Sequence, residues 1–168
     1  MGISAEVLAL REDIVSWRRS IHMHPELGFT EQRTSKLVCD ALRSFGFDEV
    51  LTDFCTAHTA VVGILRTGRP GHVVGLRADM DALPMQDEKD VPYRSQVPGV
   101  CHACGHDGHT AALLGAAKYC AAHRDQLCGT IKFVFQPAEE GPAPGGAKYI
   151  VESGVLDDVE FMIGGHQS

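Results

Sequence analysis

Residues 101–110 read Cys101-His102-Ala103-Cys104-Gly105-His106-Asp107-Gly108-His109-Thr110, which puts two thiols, three imidazoles and a carboxylate into ten positions. A hydrophobic core has no use for that density of ligand-forming groups. The two glycines let the backbone turn tightly, and the alanine- and leucine-rich run that follows, 111–122, has the composition of a buried helix. The cluster is therefore expected on a loop and the first turn of a helix, and the rest of the chain must fold around that junction. Unpaired N–H groups at a helix start stabilise negative charge, so Cys104 is expected to be the most reactive sulfur in the chain. Three readings stay open here: a metal site, a redox dithiol made of Cys101 and Cys104, and a structural zinc knot, whose usual second pair of ligands does not follow.

The 168 residues suit one domain. With 15 basic against 22 acidic residues the formal net charge is −7, which argues against nucleic acid or an anionic membrane as partner and leaves small molecules, peptides or proteins. The first twenty positions carry Glu6, Arg11, Glu12, Asp13, Arg18 and Arg19 and lack the apolar stretch of a signal peptide. The longest apolar run, near 60–65, is too short to span a bilayer. A cytoplasmic protein with reduced thiols is expected; Cys39 and Cys120 fall inside helical patterns and read as small buried hydrophobes.

Val7, Leu10, Ile14, Trp17 and Ile21 recur at helical steps, which predicts one helix over 4–22 capped by Ser4 and ended by Pro25. His22 and His24 then sit at its C-terminal end, as helix-end partners rather than ligands. A second helix is predicted over 31–45, closed by Gly46. Strand patterns occupy 50–54, 60–66 and 72–76, and the turn residues 67–71 predict that the last two pair as a hairpin. A helix over 107–123, a strand over 129–135 stopped by Pro137, a short helix over 145–152 and a strand over 159–163 complete the chain. This order indicates an α/β domain with a mixed sheet.

The polar residues fall at strand ends. The third strand leads into Asp79 and Asp81, the fourth into Glu139 and Glu140, and the fifth into His166, while the helix start supplies Cys104 and His106. In open α/β sheets the functional crevice lies beyond the carboxyl ends of the strands, so these groups are expected to converge. The metal reading explains the acids; the dithiol reading leaves them unused.

Three motifs carry a resemblance. Gly75-Leu76-Arg77-Ala78-Asp79-Met80-Asp81-Ala82-Leu83-Pro84, then His102-Ala103-Cys104-Gly105-His106-Asp107-Gly108-His109, then Phe135-Gln136-Pro137-Ala138-Glu139-Glu140-Gly141, with Arg18-Arg19 and His24-Pro25-Glu26 near the start, closely resemble the dinuclear metal amidohydrolases of the aminoacylase and carboxypeptidase superfamily. The similarity is to the branch of hippurate hydrolases, bacterial N-acyl-amino-acid amidohydrolases and plant auxin-conjugate hydrolases. It implies a zinc-peptidase-like catalytic domain and metal-dependent hydrolysis of the amide bond in N-acyl or N-aroyl amino acids or small peptides. It further implies two divalent metal ions, zinc or manganese, with cobalt and nickel also admitted.

By this resemblance Cys104 is the thiolate shared between the metals, His106, Glu140 and His166 are further ligands, and Glu139 is the general base. Asp81, with Asp79 beside it, supports that machinery, and His102 and His109 are structural or lie behind the ligands. Adjacent residues of a strand cannot share one direction, so the chain must leave the strand after Pro137 for Glu139 and Glu140 to do different work.

Members of the resembled family are more than twice this length, with a lid domain through which many form homodimers and a further histidine ligand. The chain is therefore expected to be the N-terminal portion, 1–168, of the catalytic domain, incomplete and without the lid, with apolar surface exposed. A non-catalytic metal-binding fragment or a partner-dependent subunit is the alternative. Cys101 stands where this branch usually has Met; it reads as a conservative packing residue, or as one half of a redox switch with Cys104.

Overall fold

In the computed structural model, which describes residues 2–166, the elements are α1 (Ala5–Leu8), α2 (Arg11–Met23), α3 (Gln32–Ser44), β1 (Glu49–Leu51), β2 (Val61–Arg66), β3 (Val73–Asp79), α4 (His106–Ala122), β4 (Thr130–Gln136), α5 (Gly146–Glu152) and β5 (Phe161–Gly164), with a 3-10 turn at Arg124–Gln126. The first helix is broken where one was expected. Ser4 does cap it, its Oγ accepting from Val7 N–H at 3.3 Å, but Leu10 N–H closes back on Val7 O at 3.1 Å and a new helix starts at Arg11. No residue of α1 is buried, so packing does not hold the two pieces in one line.

The sheet order is β1-β2-β4-β3-β5. β3 runs parallel to both β4 and β5, and β2 runs antiparallel to β1 and β4. The expected β2–β3 hairpin is thus corrected: the two strands are antiparallel, but β4 lies between them. β4 is apolar towards both faces, with Phe133 and Phe135 in one core and Val134 in the other, and a strand buried on both sides belongs in the middle of a sheet. Residues 67–71 arch over its entry instead of closing a hairpin, with Thr67 N–H donating to Gly129 O and Gly129 N–H to Arg69 O at 3.1 and 2.9 Å.

On one face α3 and α4 bring Val38, Leu42, Leu113, Leu114 and Ala117 onto Leu65, Phe133 and Phe135. On the other, α5 lays Ile150 against Val62, Ile64 and Val134. β5 is an edge strand, and its Phe161, Met162 and Ile163 are 55, 47 and 59% exposed. No helix among the described residues is long and apolar enough to cross a membrane.

Residues 80–105 link β3 to α4 largely as loop, and Asp87 is their internal anchor. Its carboxylate is 3% exposed and accepts from Ser95 N–H at 2.9 Å and Lys89 N–H at 3.2 Å, with His22 Nε2 at 3.3 Å. Burial pushes the carboxyl up, but those N–H groups, with the Lys89 ammonium and His22, outweigh it and hold Asp87 down at about 2. A carboxyl depressed on folding stabilises the fold above its unfolded value and loses that contribution as pH falls towards its folded value. The expected result is that the stability difference between the parent and Asp87→Asn, measured by urea unfolding, shrinks by about 2 kcal/mol between about pH 5 and about pH 2. A difference constant over that window would remove Asp87 from this role.

Candidate metal centre

Because β3, β4 and β5 are parallel, their carboxyl ends lie along one edge of the sheet, and the start of α4 faces that edge. β3 ends at Asp79 and delivers Asp81 two residues on. β4 stops before Pro137, and Ala138 then takes a left-handed backbone at φ 51°, so Glu139 and Glu140 leave the strand direction as expected. β5 hands over to His166. Gly105, at φ 83°, makes the turn that starts α4 at His106; a residue with a Cβ is strained there.

All four ligands expected from the sequence meet in two overlapping groups. One ligand atom each from Cys104, His106 and His166 lie within 4.8 Å of one another, as do those of His106, Glu139 and Glu140. Cys104 Sγ is 3.1 Å from His166 Nε2. A third group of the same size joins His106 to Asp79 and His109. The resemblance leaves His109 as structural or behind the ligands; its position three residues after His106 on α4 is the signal that it shares that face.

His106 is common to all three groups, and its orientation is fixed from behind. Its Nδ1 lies 2.9 Å from Asp81 O and 3.1 Å from Asp81 Oδ1. A carbonyl oxygen only accepts, so Nδ1 carries the proton and Nε2 of the neutral ring offers its lone pair to the site. That Nε2 is buried without a hydrogen-bond partner among the described residues, 3.9 Å from Glu139 Oε2. A buried, unpartnered imidazole nitrogen backed by a carboxylate is the arrangement a metal-ligating histidine takes, and sulfur, imidazole and carboxylate together suit zinc and its neighbours. The residues present therefore fit a divalent metal.

The carboxylates around His106 raise its basicity, which strengthens the ring as a ligand once Nε2 has given up its proton to a metal. Burial opposes charge on His106, but Asp81 and Asp79 outweigh it and raise its pKa. Burial also works to raise Asp81, yet His106 and the N–H groups of Glu140 and Glu139 bring it below the usual carboxylate range. Asp79 is raised, by burial first and by Glu139 and Asp81, against the Arg77 guanidinium paired with it.

Cys104 departs from its expected reactivity. Burial, then Glu140, Glu139 and Asp79, push its thiol up to about 11, so carboxylates override the helix-start effect and make a site that favours a cation. Cys101 is 3% exposed and pairs its backbone with Leu83; burial first, then Asp87, raises its pKa as well, which leaves it a neutral packed thiol.

Behind the centre, Asp107 Oδ2 accepts from His22 Nδ1 at 2.8 Å and Arg18 Nε at 2.9 Å. These bonds tie α2 to the first turn of α4. His24 donates from Nδ1 to Ser20 O at 2.9 Å, a helix-end partner. His102 is buried, and desolvation holds it down at about 4, a neutral ring at neutral pH.

The chain is 48% identical over 157 residues to an N-acyl-L-amino acid amidohydrolase of Geobacillus stearothermophilus, covering 94% of this chain and 41% of that protein. It is 51% identical over 163 residues to an IAA-amino acid hydrolase of Arabidopsis thaliana, covering 95% and 36%. The fold superposes with a TM-score of 0.89, at 40% identity, on a Bacillus subtilis protein described as a dinuclear metal binding peptidase from the M20 family, covering 96% of this chain and 44% of that one. The chain thus spans about two fifths of the length of the relatives it matches. Residues 75–168, which hold both acidic motifs, the Cys104–His106 loop and His166, match the model of peptidase family M20/M25/M40, and on that match over more than half its length the chain belongs to this family.

Proposed function

We propose that the chain supplies the metal-binding and general-base groups of a hydrolase that cleaves the amide bond of N-acyl amino acids or small peptides. The observation that carries this is the sharing of His106 between the Cys104–His166 group and the Glu139–Glu140 group. Cys104, His106, Glu140 and His166 would hold the divalent ions. When bound, such ions lower the pKa of a water and polarise the scissile carbonyl.

Glu139 takes the proton of the attacking water and passes it to the departing amine. Its side chain is 42% exposed, so it can reach a substrate from solvent, whereas Asp81 is buried and acts by holding His106 and Glu140 N–H in place. Sulfur with imidazole favours zinc, and the carboxylates admit manganese or cobalt. N-Acyl-L-amino acids and IAA-amino acids are the substrates that the names of these relatives point to.

The test is to load the purified chain with zinc or manganese, remove excess, and measure metal per chain together with release of amino acid from an N-acetyl and an N-benzoyl substrate. About two ions per chain are expected, with little or no release by the chain alone; no bound metal in a folded chain would overturn the proposal. A second reading has its own observation, the exposed apolar edge of β5 next to His166. A chain that binds metal but needs a partner surface before it hydrolyses substrate fits that edge, and metal bound without hydrolysis would favour it.

A further inference from the structure

Glu31 is 0% exposed although it stands at the start of α3, the position where a carboxylate ordinarily faces water. Its side chain turns inward. Oε2 accepts from Thr59 Oγ1 at 2.7 Å and Oε1 accepts from Ala138 N–H at 2.9 Å. Thr59 and Ala138 are themselves buried, at 1 and 0%. The Ala138 N–H it receives opens the turn that carries Glu139 and Glu140, and Ala138 is held there in a left-handed backbone that an alanine seldom adopts.

Two buried carboxylates therefore bracket that turn. Glu31 takes the N–H of Ala138, and Asp81 takes the N–H of Glu140 at 2.9 Å. The peptide of Glu139 lies between. Gly28 presses on the same turn, since a Cβ on it would come within 2.0 Å of Gly141 O and 2.9 Å of Ala138 Cβ. The fold thus keeps the loop of α3 against the loop after β4, across 107 residues of sequence.

We infer that Glu31 is a positioning residue for the metal centre: by accepting from Ala138 N–H and Thr59 Oγ1 it fixes the Ala138–Glu140 turn, and so sets where the carboxylates of Glu139 and Glu140 stand. This rests on the proposed metal site and extends it to a residue that touches neither metal nor substrate. Without Glu31 the Ala138 N–H is buried with no acceptor, and the strained turn relaxes towards an ordinary backbone. A glutamine can serve in its place, because its carbonyl accepts from Ala138 N–H while its amide donates to Thr59 Oγ1.

The experiment compares the parent chain with Glu31→Leu, Glu31→Gln and Thr59→Val, each checked for folding by far-ultraviolet circular dichroism and titrated with cobalt(II) against a competing chelator. The visible cobalt bands are recorded alongside, since they report ligand geometry and do not respond to a general loss of stability. Glu31→Leu is expected to weaken cobalt binding about tenfold or more and to change the bands. Glu31→Gln should stay within about threefold of the parent with the parent's spectrum.

A folded Glu31→Leu with parental affinity and spectrum overturns the inference, as does a Glu31→Gln that loses as much as Glu31→Leu. If Glu31→Leu does not fold, Thr59→Val decides: weakened binding with altered bands supports the inference and unchanged binding overturns it. If the parent itself takes up no cobalt, the metal centre fails, and with it this role; that result is separate from a parent that binds and variants that bind equally.

Discussion

Glu139→Gln is expected to lower turnover of an N-acyl amino acid by about 10²-fold or more while leaving the metal content unchanged. The two adjacent glutamates leave the turn with different surroundings. Glu140 N–H is tied to Asp81, and its carboxylate is among the groups pressing on Cys104 Sγ. Glu139 is 42% exposed, 3.9 Å from His106 Nε2, with access to solvent. A glutamine keeps its shape and cannot take a proton, so binding should survive and proton transfer should not. Turnover is measured in a form of the enzyme that hydrolyses substrate, with metal per chain determined on the same preparation. Near-normal turnover would remove Glu139 from the role of base. Loss of metal would place it among the ligands, as its grouping with His106 and Glu140 allows.

The convergence of these groups could be read from sequence because it follows from strand direction. Asp79 closes β3, and Glu139 and His166 follow shortly after the ends of β4 and β5; parallel strands bring such positions to one edge. The β2–β3 hairpin failed for the opposite reason. A turn over 67–71 is visible locally, but which strand lies next to β2 depends on β4, some sixty residues on, claiming the doubly buried place.

Glu31 shows the same limit at the site. Nothing near Glu31 in sequence distinguishes it from a carboxylate at an ordinary helix start, and its partner Ala138 is 107 residues away. Cys104 shows a limit of another kind. The helix start was legible, but its effect on the thiol is outweighed by burial and by carboxylates from two other strand ends, whose distances only the fold supplies.

Cys104→Ala and Glu140→Ala are each expected to weaken divalent metal binding by at least about 10²-fold, since the free energy of such a site is divided among a few ligands. The two variants should differ in how they fail. Cys104 is the sulfur of the centre, in reach of both His106 and His166, so the near-ultraviolet band that a thiolate gives with cobalt(II) should vanish in Cys104→Ala. Residual cobalt in Glu140→Ala should retain it. Cys101 cannot substitute without rearrangement, because it is 3% exposed and its backbone is paired with Leu83. A sulfur band that survives Cys104→Ala would therefore assign the ligand to Cys101 and return the pair to the dithiol reading. Tight binding that survives Glu140→Ala would shift the carboxylate ligand to the buried face of the site, where Asp79 lies with His106 and His109. In that case Asp81, which grips both His106 and Glu140 N–H, would matter to the metal through the histidine alone.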